Sequence, residues 1–378
     1  MQLVKLSITT ALLLSTLQAD NYINVQVLQY NEHNGRASIS TPSVELNYDL
    51  GADYTFNGKY TLDSISGASP IFYDSTSGAS AYSRGETTQD SARYGGVEYD
   101  ETKRMQGTVR GTKRFENRDE VTLGASFSNE YDYRSTELSA EVLHWVDEGK
   151  NQAFSMGVAF QRNVILVDCK ENSICDATSG ASKKLRADAF FAEAGFSQNL
   201  NSSSVLKTSL FFNNEDGYLT NPFMNVLRYY NTTPTITNET RPHNRRGYGG
   251  VLEYTKAIGE STAWHSSYRY YHDDWEIDSH TLNNDLYYEL NSDTTLGAGL
   301  RYYSQSAAHF FSKEFDHFTD EVYASSDERL GDFNAINLSM SIDYKITKQL
   351  MYNLSGNYYK QNEGTIARYF TTGVKYKF

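Results

Sequence analysis

The densest group of reactive side chains in this sequence is His272-Asp-Asp-Trp-Glu-Ile-Asp-Ser-His280. Imidazoles and carboxylates so close together can hold a divalent cation or serve as an Asp/His general acid–base pair. The candidate set is His272, Asp274, Asp278 and His280, with His309 and His317 available from a later segment. Two features count against it. The spacing is not that of an EF-hand loop, and adjacent Asp273 and Asp274 point to opposite faces if a strand runs through them. A solvated acidic rim is the plainer reading, because exposed carboxylates are commonplace. The sequence has no G-x-S-x-G, no H-E-x-x-H and no phosphate-binding glycine loop, so no enzymatic activity and no cofactor are expected.

A second set is scattered: Arg269 and Arg301 on one side, Glu130, Glu137 and Glu141 on the other. What these charges can do depends on the elements that carry them. Cys169 and Cys175 are the only cysteines, with five residues between them in a polar segment. In an exported chain, a disulfide closing a small loop is the expectation.

Those elements are clearest at the end of the chain. In Arg368-Tyr-Phe-Thr-Thr-Gly-Val-Lys-Tyr-Lys-Phe378, every second residue is lipid-compatible: Phe370, Thr372, Val374, Tyr376 and Phe378. A strand alternates its side chains between faces, so one face here is greasy and the other wet. An edge strand of a soluble sheet is the competing reading. Similar alternating runs recur from residue 22 onward, among them Val44, Leu46, Tyr48 and Leu50, and Ile336, Leu338, Met340, Ile342 and Tyr344. They add up to about 16 strands, an even number, as in bacterial single-chain barrels.

The connections alternate too. Tight turns such as Asp49-Leu-Gly-Ala52, Glu116-Asn-Arg-Asp119 and Gly259-Glu-Ser261 fall at every second junction. Long loops at roughly 66–98, 166–183, 216–244 and 306–332 fill the others. Short periplasmic turns with long external loops are the pattern of outer-membrane barrels. The fold expected is therefore all-β, a transmembrane antiparallel up-and-down barrel.

Composition agrees. The 378 residues include 30 Tyr but only 5 Pro and 2 Cys. Mean hydropathy is −0.59, too polar for helices that need about 20 consecutive apolar residues to span a bilayer. A net charge of −13 argues against nucleic acid as a partner, since that requires a basic footprint. The long apolar run at the start, with Lys5 ahead of Ile8–Leu14, is expected to be a signal peptide over 1–19, cleaved after Ala19, leaving 20–378 as the barrel. Leu17 is larger than the small residue usual three positions before a cleavage site.

Several stretches resemble one family of uncharacterised outer-membrane barrels, domain of unknown function 3570. They are Tyr60-Thr-Leu-Asp-Ser-Ile-Ser-Gly-Ala-Ser-Pro70; Gly217-Tyr-Leu-Thr-Asn-Pro-Phe223 with Arg241-Pro-His-Asn-Arg-Arg246; Tyr268-Arg-Tyr-Tyr-His-Asp-Asp-Trp275 with Ser279-His-Thr281; and Arg301-Tyr-Tyr-Ser-Gln-Ser-Ala-Ala308. The resemblance implies an outer-membrane barrel and supplies no activity. The final stretch, Arg368 to Phe378, separately resembles the C-terminal strand of Gram-negative outer-membrane barrels, which implies that Phe370, Val374, Tyr376 and Phe378 form the signal read by the barrel-insertion machinery.

If even positions face lipid around residues 264–302, Arg269 and Arg301 face inward, Arg269 beside Thr281 and Tyr303, and Arg301 beside Asn283. Glu130, Glu137 and Glu141 are expected inward on a distant wall, with Glu130 roughly opposite Glu137. Opposed walls of charge would set a field across a pore. The plainer alternative is that these charges pair with neighbours and pack the interior. The long loop 66–98 is a candidate constriction. The expected function is a porin-like channel for small polar solutes, in contact with lipid and lipopolysaccharide. Two alternatives are a plugged barrel that binds a periplasmic or surface partner, and a rim hydrolase.

Overall fold

In a computed structural model, residues 21–33, 37–67, 102–169, 182–222, 224–229, 232–312 and 318–378 are described. They form β1 (Tyr22–Glu32), β2 (Ala37–Leu50), β3 (Tyr54–Gly67), β4 (Thr102–Arg114), β5 (Glu120–Asn129), β6 (Tyr133–Trp145), β7 (Gln152–Asp168), β8 (Ser182–Asn201) and β9 (Ser204–Gly217). A short hairpin follows, β10 (Asn225–Arg228) and β11 (Thr235–Asn238). Then come β12 (Asn244–Ile258), β13 (Thr262–Asp273), β14 (Asp278–Asn291), β15 (Thr294–Gln305), β16 (Phe333–Lys345), β17 (Leu350–Gln361) and β18 (Ile366–Lys377).

Each strand pairs antiparallel with the next, except that β9 pairs with β12 and leaves β10–β11 outside the ring. The terminal strand β18 pairs with β1 along its length, with Val374 opposite Val25 and Phe370 opposite Gln29. That pairing closes a barrel of 16 strands with no helix in its wall. Closure gives every wall strand two partners, so no edge is left with unpaired amides.

Alternation decides which side chains meet lipid. Along β16, Ile336, Leu338, Met340 and Tyr344 are exposed on the outside. Nine residues at ~3.3 Å each, tilted by roughly 40°, span ~23 Å, close to the height of an apolar band in such barrels. Phe370, Val374, Tyr376 and Phe378 all belong to this outer surface. Tyr254 and Trp264 meet edge-on near the tight-turn end, 5.7 Å between rings, as part of an interfacial girdle. At that end Gly259 takes the left-handed conformation (φ 65°) that the tight turn requires.

The strands run further than the apolar alternation shows. β7 reaches Asp168 and β8 begins at Ser182, so both ends of the segment read as loop 166–183 are paired ladder. Above the lipid the outward side chains become polar, and the period-two signal fades although the hydrogen bonding continues. The interior is also less uniformly wet than alternation suggests. Leu28, Tyr30, Ile39, Phe333, Tyr359 and Tyr369 face inward and pack together on the wall from β15 to β2, near the loop end.

The signal-peptide assignment (1–19), most of loop 66–98, His317 and Cys175 lie outside the described residues. Cys169 is disulfide-bonded.

Met340 is 76% exposed near the middle of the outer band. Met340→Arg should therefore lower stability by ~2–4 kcal/mol in bilayer refolding titrations, and Tyr344→Arg, close to the interface, by only ~0–1 kcal/mol.

Candidate functional site in the upper lumen

The interior of one wall is organised around glycines on β12. Gly249 is opposite Phe211 of β9 on one side and Tyr271 of β13 on the other. A Cβ at Gly249 would lie 2.5 Å from the Phe211 ring, and one at Gly247 would lie 2.5 Å from the Tyr271 ring and hydroxyl. The two glycines therefore leave a trough into which both neighbouring rings lean. Those rings are nearly parallel, 8° apart in plane with centroids 6.3 Å apart. The Arg269 guanidinium rests on this shelf, 4.4 Å from the centre of Phe211 and 5.5 Å from that of Tyr271. Stacking of this kind suits a planar, weakly hydrated cation.

Arg269 lies opposite Thr281, and Thr281 opposite Tyr303. Arg301 lies opposite Asn283. All of this follows the register expected from the sequence. Arg301 is near enough to Arg269 to act on it as a like charge. Among the described residues neither arginine is in an ion pair, and Glu193 on β8 is the one carboxylate among the main electrostatic neighbours of Arg269.

One layer toward the loops, the charges are neutralised. Arg245 contacts Asp273 through Nη2 at 2.5 Å and Nε at 2.8 Å. Asp273 is fully buried and also accepts from the Tyr271 hydroxyl (2.9 Å) and the Trp275 and Ile277 amides (3.0 and 3.1 Å). It therefore fixes the turn between β13 and β14 as well as the arginine. The Trp275 ring covers Arg245 at 4.5 Å and meets Phe310 edge-on at 5.1 Å.

Phe310 belongs to a cap. Loops 218–243 and 306–332 are joined by reciprocal backbone bonds between Thr240 and Ala324. Leu219, Ala308, Phe310 and Leu330 are buried with Trp275 and Ile277 beneath them. Arg241, 2% exposed, holds the two loops together. Its Nη2 donates to Asp327 at 2.7 Å, while its Nε lies 2.7 Å from Glu239 at an angle that makes an ionic contact rather than a hydrogen bond. Glu239 in turn accepts from the Asn221 amide and the Ser325 hydroxyl. Burial opposes ionisation of Asp327, but Arg329 and Arg241 outweigh it and hold the carboxyl well below the usual range. From the wall, Gln305 donates to the Arg329 and Gly331 carbonyls (3.1 and 2.6 Å), seating the cap on β15.

The rim cluster does not assemble into a site. His272, Asp278 and His280 occupy even, outward positions of β13 and β14. His272 Nδ1 is 3.0 Å from Asp278, and His280 Nδ1 is 2.7 Å from the Tyr268 hydroxyl. Asp274 instead accepts from the Arg246 amide at 2.9 Å. No group of three His, Cys, Asp or Glu among the described residues could hold a metal ion. His309 faces the Trp275 carbonyl at 3.2 Å.

The far wall is mixed rather than acidic. Glu130 lies 3.7 Å from Arg104, which also reaches Asp63 at 3.5 Å. Glu137 faces Arg110 across the lumen wall. The expected opposition of Glu130 and Glu137 is corrected: Glu137 pairs with Ser126, while the Glu130 amide bonds to Tyr133 at the hairpin end. Glu130 thus meets Tyr133, four residues before Glu137, because the hairpin turns on Tyr131 and Asp132 alone. Glu141 is opposite Thr122, nearer the tight-turn end.

Sequence reasoning passed over Phe211, Tyr271, Gly247, Gly249, Arg245 and the Arg241 network. One signal was available: three of the four resembling stretches converge here, contributing Arg241 and Arg245, then Tyr271, Asp273 and Trp275, then Arg301 and Ala308. The chain belongs to the family described as protein of unknown function (DUF3570), whose model matches residues 3–375. No curated protein matches it.

Among solved structures, a loop-deletion mutant of OmpT, an outer membrane protein of Vibrio cholerae, is similar at 10% identity and TM-score 0.47, with 96% of this chain and 99% of that one covered. The toluene transporter TodX of Pseudomonas putida is similar at 10% identity and TM-score 0.40, with 96% and 90% covered. The ferric enterobactin receptor PfeA of Pseudomonas aeruginosa is similar at 14% identity and TM-score 0.43, with 92% of this chain but 54% of the receptor covered. This chain thus spans about half the receptor's length. The likeness in each case is one of outline.

Because the Asp327 carboxyl is held low in the folded cap, its stabilisation is complete above about pH 4, the ordinary carboxylate range, and is lost progressively as pH falls below it. Amide-exchange protection of 218–222, 232–243, 306–312 and 318–332, corrected for intrinsic rates, should fall with acidification. At pH 7, Asp327→Asn should cost the cap ~3–5 kcal/mol, the usual penalty for breaking one side of a buried pair, without loosening the barrel wall.

Proposed function

We propose that the protein sits in the outer membrane and lets small polar solutes pass through the lumen without catalysis. The observation that carries this reading is the pair of inward arginines, Arg269 and Arg301, in no ion pair with the wall. Charges placed only to pack an interior are normally paired, as Arg104 and Arg245 are. A positive strip instead lowers the cost of entry for anionic and dipolar solutes. A ring of 16 strands has the size at which barrels enclose an aqueous channel. The joined loops above it act as the constriction. Phe370, Val374, Tyr376 and Phe378 on the outer face of β18 fit recognition by the insertion machinery, and the rim tyrosines and histidines fit contact with lipopolysaccharide. The rim histidines turn outward to separate partners, His272 to Asp278 and His280 to Tyr268, which supports a non-enzymatic role.

A second reading has its own support. The buried Arg241 network makes the cap a firm surface, suited to a plugged barrel that carries a periplasmic or surface partner. Planar-bilayer recording separates the two. Discrete conductance steps are expected, and the Arg269→Gln, Arg301→Gln double variant should move the reversal potential in a salt gradient toward cation selectivity. Silence from well-inserted protein, with a stoichiometric partner co-purifying, would reject the channel in favour of the scaffold.

A further inference from the structure

We propose that the shelf formed by Phe211, Tyr271, Arg269 and Arg301 binds small aromatic carboxylates. The inference deepens the proposed function by naming a solute class, and it rests on that reading only in needing a lumen that water can enter.

Four observations converge. First, two guanidiniums sit on strands separated by β14 alone, half-buried and in no ion pair among the described residues. A guanidinium fork matches a carboxylate in a bidentate manner, and partial exclusion of water strengthens the bond. Second, the aromatic rings beside them are built in rather than incidental. Gly247 and Gly249 leave no room for a side chain, and Phe211 and Tyr271 fill that space with their faces parallel. A planar ring in a solute can stack beside them, whereas a saturated one gains less.

Third, two polar atoms at the shelf are buried without partners. Thr281 Oγ1, between Arg269 and Tyr303 in the register, and Asn213 Nδ2, one inward position above Phe211, make no hydrogen bond. Both residues are 4% exposed. Buried polar groups are nearly always satisfied, so these two are available to bond a polar ligand held at the shelf. Fourth, the lining next to Tyr303 is apolar. Phe333 lies 5.4 Å from Tyr303, and Tyr359, Tyr369, Tyr30 and Leu28 continue that surface around the wall. A solute moving past the arginines thus meets aromatic surface on both sides of them. Simple inorganic anions would use the arginines and gain nothing from the rest.

The test is equilibrium dialysis of radiolabelled benzoate against the full chain folded in detergent micelles, which reads binding without requiring conductance. Benzoate should bind at least about tenfold more tightly than acetate, which lacks the ring, and than benzamide, which lacks the charge. Cyclohexanecarboxylate should fall between benzoate and acetate. Arg269→Gln and Arg301→Gln, tested singly, should each weaken benzoate by about tenfold, and Arg269→Lys by less, because it keeps the charge but loses the fork. Arg110→Gln on the far wall should leave it unchanged. Heat-modifiable migration in gels would verify that each variant is folded.

Equal binding of benzoate and benzamide, no binding at millimolar benzoate, or full affinity in the folded Arg269→Gln and Arg301→Gln variants would each overturn the proposal. Benzoate binding by a protein that is silent in bilayers would sustain it while rejecting the channel. Conductance without benzoate binding would do the reverse.

Discussion

Everything in this molecule depends on the pairing of β18 with β1. A sheet in hydrocarbon cannot leave amides or carbonyls unpaired, because each costs several kcal/mol. Sixteen strands are tolerable in lipid only because the last one finds the first and the ladder becomes a ring. Once the ring exists, the pleat assigns side chains to two solvents. Alternate positions of each strand face lipid and lumen, and a shift by one residue would exchange them throughout a strand. Arg269 and Arg301 are inside for the same reason that Met340 is outside.

The lumen then carries several chemistries in layers and sectors. On the wall from β3 to β5, Arg104 draws Asp63, Glu130 and Ser128 into one cluster, so that charge there is largely spent locally. On the wall from β9 to β15, the spending is uneven. Arg245 is neutralised by Asp273 next to the cap, while Arg269 and Arg301, further down, are not. Between β15 and β2 the lining is aromatic and aliphatic. This arrangement gives one side of the interior both positive charge and aromatic surface, with Phe211 coming from β9 and Tyr271 and Arg269 from β13.

The cap is coupled to that side through contacts that run without a gap. Phe310 touches Trp275, Trp275 covers Arg245, Arg245 holds Asp273, Asp273 accepts from Tyr271, and Tyr271 shares its shelf with Arg269. Gln305 adds a second attachment from the wall to the loop 306–332. The buried Arg241 network supplies the cap's own cohesion. Ion pairs of this sort add little net stability but penalise alternatives heavily, so they specify one loop arrangement over others.

The sequence alone determined the barrel, its strand count and the inward placement of Arg269 and Arg301, because each follows from a period of two read within a few residues. It also carried the register of β13 to β15, since tight turns such as Gly259-Glu-Ser261 leave little freedom in how neighbours align. It misjudged the hairpin at Glu130, where a polar segment does not show how tightly it turns. It read His272–His280 as a cluster, although alternation directs His272 and His280 outward and leaves Asp273 inside with Arg245. The tertiary structure decided what no local pattern contains: Phe211 and Tyr271 meeting across Gly249, and Arg241 finding Asp327 some 86 positions later. Those contacts depend on ring closure and on loops folding back over the mouth. Partnerships of that kind are set by the global path of the chain, which the spacing of residues along it does not encode.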